Sequence, residues 1–387
     1  MEQTFTQTAI EQIYEEKFYA ATNVQLLWRG QESFDTIFNA VKNAQKIICL
    51  QFYIFKNDKT GAAMSELLQQ KSKEGVKVYV LYDHFGSGFF RTPKKFWEDM
   101  KKAGIKVRAS RPFKWTTPFH YIHRDHKKLI VIDFKNAFTG GLNIADEYSG
   151  FHLRLRGKSW RDTGIMIEGP IAYELFKVFI KAWHLWGGEP IEISKFKIQN
   201  SKLNDDILTI PIFVSSAKGR RRMRRLLYYS INRSKRSISL TVAYFVPSKR
   251  MIETLGEAVK RGVRVRLLVP GKSDLPIVSY AGRAFFSTLL KAGVEIYTYN
   301  GEILHAKSYI FDDCWSIIGS TNLDFQSFRY NDEGNIGILN TSFALKMKEV
   351  FEEDILHSVK ISKDNWDKRP TSQKLKEKFF SLFKRRL

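Results

Sequence analysis

Two stretches of this 387-residue chain carry the same sparse polar pattern, and no other feature constrains its fold as tightly. His126-x-Lys128 leads through Asp133 to Gly140, Gly141 and Asn143; His305-x-Lys307 leads through Asp312 to Gly319, Ser320 and Asn322. Each copy has four residues between Lys and Asp and six more before the small pair. Scattered polar residues match once by chance at ordinary residue frequencies, but a second match at identical spacing requires a common origin. The pattern therefore implies a duplicated half and a site that uses two histidines, two lysines and two amides.

Hydrophobic periodicity around the motifs repeats in the same order. In the first half, helical spacing over 34–44 precedes a strand at 46–55, a helix at 62–73, a strand at 76–82, a helix at 94–103 and a strand at 105–107. The second half gives a helix at 222–234, a strand at 237–246, a helix at 251–261, a strand at 263–269, a helix at 284–292 and a strand at 294–299. Glu74-Gly75-Val76-Lys77-Val78 has an echo in Arg261-Gly262-Val263-Arg264-Val265, and Ala103-Gly104-Ile105 in Ala292-Gly293-Val294. Alternating strands and helices predict an α/β fold of two similar lobes, each a mostly parallel or mixed sheet flanked by helices. The expected division is an N-terminal extension (1–23), a first lobe (24–195), a polar linker (196–206), a second lobe (207–370) and a basic amphipathic tail (371–387).

His126, Lys128 and Ile130 alternate with Leu129 and Val131, so an extended segment projects His and Lys from one face and anchors through the other. The same holds for His305 and Lys307. Such a cationic platform suits phosphate oxygens, while Asn143 and Asn322 can donate amide hydrogens beside small residues that allow close approach. Asp133 and Asp312 follow their histidines by seven residues and fall on the opposite face, which gives them a supporting role. Glu147, and Glu333 with Asp324 nearby, are the carboxylates expected to orient an imidazole by bonding one ring nitrogen. The arrangement fits double displacement: one imidazole attacks phosphorus, the other protonates the leaving alkoxide and then deprotonates the incoming alcohol or water. Two lysines and two asparagines stabilise the phosphoryl charge, and the scheme calls for no metal and no cofactor. His126 is assigned as nucleophile and His305 as acid/base, although near-symmetry leaves the order open.

Composition narrows the setting. Lys+Arg 63 against Asp+Glu 40 leaves a net charge of +23, which attracts either nucleic acid or an anionic membrane surface. Two cysteines, Cys49 and Cys314, point to free thiols in a reducing compartment. The acidic N-terminus lacks a signal-peptide core, and no apolar run approaches the roughly 20 residues needed to span a bilayer, so membrane contact is expected to be peripheral. Gly271-Lys272-Ser273 resembles the end of a nucleotide loop, but position 266 is Arg where that loop needs Gly. His120 and His123 lack a partner at ligand spacing and read as a polar loop near the site entrance. In the tail, Leu375, Phe379, Leu382, Phe383 and Leu387 lie close to helical spacing among lysines and arginines, consistent with a terminal helix packed on its own domain or with interfacial binding. The cluster at 220–225 reads as a solvated arginine face or a phosphate site.

On these residues the chain resembles the phospholipase D superfamily, whose twin His-x-Lys-x4-Asp motifs meet between two similar lobes. Within it the sequence is most similar to bacterial cardiolipin synthases, through Tyr53-Ile54-Phe55, Leu81-Tyr82-Asp83, Thr139 to Tyr148, Trp160-Arg161-Asp162-Thr163, Tyr244-Phe245-Val246-Pro247, Gly271-Lys272-Ser273-Asp274 and Gly319 to Asp324. Lys127, Gln51 and Ala243 stand where such relatives often have Arg, Glu and Pro. The pair of N-terminal membrane helices found in many of them is missing, as in a shorter peripheral form. The resemblance implies transfer of a phosphatidyl group from one phosphatidylglycerol to another, releasing glycerol, on the cytoplasmic side of a bacterial inner membrane. The implied partner is anionic phospholipid rather than nucleic acid. Transfer to water, by a phospholipase or nuclease, is the alternative outcome of the same chemistry; retention of both motifs argues against a catalytically idle binder.

Overall fold

The computed structural model describes residues 4–88, 91–113, 115–116, 122–150, 159–191 and 207–383. In chain order the first part comprises α1 (Gln7–Tyr14), β1 (Tyr19–Ala21), β2 (Asn23–Leu27), α2 (Gly30–Lys42), β3 (Ile47–Phe52), α3 (Lys59–Lys73), β4 (Lys77–Asp83), α4 (Lys94–Lys102), β5 (Lys106–Ser110), β6 (Lys128–Ile132), β7 (Asn136–Gly140), α5 (Asp146–Ser149), β8 (Gly164–Glu168) and α6 (Pro170–Leu185). The second comprises β9 (Ile207–Val214), α7 (Ala217–Arg233), β10 (Ser237–Val242), α8 (Lys249–Lys260), β11 (Arg264–Pro270), α9 (Pro276–Arg283), α10 (Phe286–Lys291), β12 (Glu295–Tyr299), β13 (Lys307–Phe311), β14 (Trp315–Gly319), α11 (Phe325–Arg329), β15 (Glu333–Leu339), α12 (Thr341–Leu356), β16 (Ser358–Lys360), α13 (Lys363–Asp367) and α14 (Thr371–Ser381). The elements expected from periodicity are all present, with ends shifted by a few residues. The linker expected at 196–206 lies outside the described residues.

Both sheets are mixed, and their strand orders correspond. The first runs β2-β8-β7-β6-β3-β4-β5 and the second β1-β9-β15-β14-β13-β10-β11-β12-β16. In each, a parallel trio (β3-β4-β5, β10-β11-β12) joins an antiparallel block, so the duplication inferred from two motifs extends to the topology of whole lobes. The N-terminal residues do not form a free extension: β1 pairs antiparallel with β9, and α1 packs on α7, so both belong to the second lobe although they precede the first.

Strand alternation divides the core. Ile48, Leu50 and Phe52 of β3 face an outer cluster under α2, α3 and α4, whereas Ile47 and Cys49 face an inner cluster. That inner cluster contains Ile171, Phe176 and Phe179 of α6 and Phe343, Met347 and Phe351 of α12, along with residues of both sheets. The two central helices thus join the lobes through one shared apolar layer. A buried two-pronged ion pair adds to it: Arg161 Nε and Nη2 donate to Asp354 of α12, each at 2.8 Å. Both cysteines are free.

Candidate active site

The two motifs meet where the lobes meet, and backbone pairing does the alignment. The His126 amide donates to the Asp332 carbonyl at 2.8 Å and the Asp332 amide to the Arg124 carbonyl at 2.8 Å. The other half repeats this: the His305 amide donates to the Arg161 carbonyl at 2.8 Å and the Arg161 amide to the Ile303 carbonyl at 2.9 Å. Each histidine segment therefore lies beside the residues that lead into β15 or β8 of the opposite lobe.

This pairing delivers a carboxylate to each ring. His126 Nδ1 donates to Glu333 at 3.0 Å, and His305 Nδ1 donates to Asp162 at 2.6 Å. Asp162 sits two residues before Gly164, which pairs with Gly140; Glu333 sits two before Asn335, which pairs with Gly319. The two acids are equivalents in the duplication, each orienting the other lobe's histidine. Small residues make room for them. A Cβ on Gly141 would stand 2.0 Å from Asp162 Oδ1, and one on Gly140, at φ +138°, would stand 2.4 Å from the Gly164 Cα. At the position matching Gly141, the Ser320 hydroxyl instead donates to Glu333.

The lysines complete the cluster. Lys128 Nζ donates to the His126 carbonyl at 2.8 Å, and Lys307 Nζ lies 2.7 and 3.0 Å from the two ring nitrogens of His305. Lys307 Nζ also donates to the His305 carbonyl, as Lys128 does to that of His126. Tyr53 meets the His126 ring edge-on, with centroids 4.9 Å apart, while Tyr148, Trp160 and Tyr244 surround His305 at 5.5, 5.5 and 6.0 Å.

Burial governs the charges. Removal from water, reinforced by Lys128, pulls His126 down to about 4. Burial and then Lys307 pull Lys128 down to about 7, and burial brings Lys307 down to about 8. His305 is also lowered, by burial and then Lys307. Burial opposes ionisation of Asp162 and Glu333, yet the neighbouring lysines and histidines outweigh it and hold both carboxyls below the usual range. A neutral His126, ammonium groups and carboxylates coexist, as needed to receive a phosphodiester.

The remaining expected residues are placed as follows. Asn143 accepts from the Ile54 amide and donates to Tyr148 at 2.9 Å, and Asn322 accepts from the Tyr244 amide, so the two asparagines position the aromatic wall. Asp133 and Asp312 lie away from the histidines, at the far ends of β6 and β13. Each accepts from three backbone amides, those of Gln45, Lys46 and Ile47 or of Lys235, Arg236 and Ser237. Glu147 pairs with Lys56, and the carboxylate on the His305 ring is Asp162, whose role the motif spacing had not revealed. Asp324 caps α11 through the Ser327 amide. The arginine cluster is not one solvated face: Arg220 is buried against Asp332, and Arg222 and Arg225 pair with Glu15. His123 bonds the Tyr330 carbonyl across the lobes at 2.7 Å, while His120 lies outside the described residues. Among the described residues, no three His, Cys, Asp or Glu side chains are grouped to hold a metal ion.

Comparison with known proteins converges on one family. The model described as "Cardiolipin synthase, PLD-like domain" matches residues 37–183 and 227–355, one segment in each lobe. Cardiolipin synthase 2 of Bacillus cereus is 33% identical over 363 residues, covering 93% of this chain and 70% of the relative. Cardiolipin synthase of Halalkalibacterium halodurans is 35% identical over 344 residues, covering 88% and 67%. Among solved structures, phosphatidylserine synthase of Haemophilus influenzae superposes with a TM-score of 0.74 at 15% identity, over 98% of this chain and all of that one, a likeness of fold. With paired motifs, paired lobes and these relatives in agreement, the chain belongs to the cardiolipin synthase, phospholipase D-like family of phosphatidyltransferases.

Proposed function

We propose that this enzyme transfers a phosphatidyl group from one phosphatidylglycerol to the hydroxyl of a second, releasing glycerol, through a phosphohistidine intermediate. The observation carrying this reading is the cross-lobe arrangement in which each buried histidine gives Nδ1–H to the opposite lobe's carboxylate, leaving Nε2 for chemistry. His126, held neutral with its pKa near 4, is suited to attack phosphorus. Its Nε2–P bond forms as the P–O bond to glycerol breaks, and a His305 that carries a proton on Nε2, its charge steadied by Asp162, gives that proton to the leaving oxygen. His305 then takes the proton from the incoming hydroxyl, whose oxygen displaces His126 from phosphorus. Lys128 and Lys307 offset the charge on the phosphoryl oxygens, and Asn143 and Asn322 hold the walls.

The setting that fits is an anionic membrane surface reached peripherally from the cytoplasmic side. The net charge of +23 favours it, and among the described residues no helix is long and apolar enough to cross a membrane. The direct test incubates the purified full chain with phosphatidylglycerol vesicles and analyses the products. Cardiolipin and glycerol in equal amounts are expected; phosphatidic acid as the sole lipid product would refute transfer to an alcohol while leaving the phosphohistidine step standing.

A further inference from the structure

The C-terminal helix α14 is built the wrong way round for a helix packed in water. Its inward face sets a buried carboxylate beside Phe380: Glu377, only 1% exposed, accepts from Arg369 at 2.7 Å, from Arg283 of α9 at 3.3 Å and from Gln373 at 3.0 Å. Its outward face is apolar, with Leu375 63%, Phe379 55%, Leu382 73% and Phe383 43% exposed. These four recur at i, i+4, i+7 and i+8 and form one stripe. Lys374 and Lys378 border it on one side and Lys376 on the other. A helix docked only on its own domain would turn the stripe inward and the carboxylate outward.

Helix α9 extends the same surface. Tyr280 stacks on Phe380 while Arg283 meets Glu377, so the residue numbers step in opposite directions and the helices run antiparallel. The start of α9, with Ile277 exposed and Leu275 exposed just before it, therefore lies toward the Phe383 end of α14. The neighbouring Asp274 accepts from the Tyr244 hydroxyl at 2.6 Å, and the Tyr244 ring faces His305. The apolar surface thus continues to the wall of the active site.

We propose that the α9–α14 face is the surface by which this enzyme docks on an anionic lipid bilayer, with the stripe entering the headgroup–acyl boundary and the lysines meeting lipid phosphates. The proposal rests on the reading of the site as one that acts on phospholipid, because the surface places a bilayer next to Tyr244 and His305. Charge selects this occupant: a second copy on a two-fold axis would set the lysine borders against each other, whereas an anionic membrane is complementary to them.

The test is co-sedimentation of the full chain with phosphatidylglycerol or phosphatidylcholine vesicles, comparing wild type with the double variant Leu375→Ser/Phe379→Ser. Both positions are exposed, so the variant should keep the wild-type thermal midpoint. Its partitioning onto phosphatidylglycerol vesicles should fall by about tenfold or more, the loss expected for two partly inserted apolar side chains. Turnover of detergent-dispersed phosphatidylglycerol should stay near wild type. Wild-type partitioning of the variant would overturn the proposal, as would a wild-type dimer in solution that the variant loses. Binding is scored without turnover, so a chain that binds vesicles through this face but makes no cardiolipin refutes the proposed reaction and leaves the docking surface intact.

Discussion

Asp162 and Glu333 decide what the two histidines can do. Each carboxylate fixes its partner's tautomer by accepting from Nδ1, and each is buried where no water can take its place. Asp162→Asn should preserve the shape of the pocket but remove the charge that steadies a protonated His305. We expect kcat to fall by about 10²-fold or more, the usual scale of acid–base catalysis, with KM and the unfolding midpoint changing far less. An equal loss of kcat and stability would instead assign Asp162 a mainly structural role. The lowered pKa values set a second expectation. Above about 4, His126 is uncharged and nucleophilic; Lys128 keeps its proton up to about 7 and Lys307 up to about 8. kcat/KM should therefore decline on the acid side as His126 takes up a proton, and on the alkaline side as first Lys128 and then Lys307 lose theirs. A profile measured from pH 4 to 9.5 checks both limbs, and a flat line between 6.5 and 9 would show that the ammonium charges do not limit turnover. At this scale the histidines and lysines were legible in the sequence because alternation puts them on one strand face, and Glu333 because it follows the Asn of the second motif. Asp162 was not, because its partner lies 143 residues away and only the strand register brings them together.

Asp133 and Asp312 belong to the hairpins. Each opens the reverse turn that joins β6 to β7 or β13 to β14, with φ values of 52° and 51° followed by a second left-handed residue. Asp tolerates that conformation better than most residues, and its carboxylate can also gather three amides at the start of β3 or β10. Strand parity anticipated that these aspartates face away from the reaction; what they hold could not be read without the fold. Replacing Asp312 by Ala leaves three amides without their acceptor and puts a Cβ-bearing residue without a local hydrogen bond at positive φ. The expected cost is about 2–4 kcal/mol in urea unfolding, with Asp312→Asn costing less. Turnover per folded molecule should stay within a few-fold of wild type. A collapse of kcat at an unchanged urea midpoint would return Asp312 to the chemistry.

At the scale of the whole molecule, the chain order of the sequence is not the spatial order of the lobes. The twin motifs made the two lobes and their equivalence readable, yet the N-terminal boundary misled. A three-residue β1 and an eight-residue α1 carry weak periodic signals, and their partners, β9 and α7, lie about half the chain away. Phe5, Ile10, Tyr14 and Phe18 are all buried in the second lobe's core, Phe5 against Phe311 and Phe18 against Trp315. Glu15 gathers Lys218, Arg222 and Arg225 of α7 at the surface. Removing residues 1–21 would delete none of the site's polar residues, but it would strip β9 of its outer neighbour and uncover the flank of α7. Each of the four buried side chains contributes about 1.5–3 kcal/mol, so their joint loss is comparable with the 5–15 kcal/mol that typically holds a domain together. The truncated chain should unfold at a much lower urea concentration, expose apolar surface to a hydrophobic dye and lose turnover, because Glu333 and His305 stand on the lobe left uncovered. An unchanged midpoint would mean that β9 and α7 hold the second lobe without the strand and helix that precede the first.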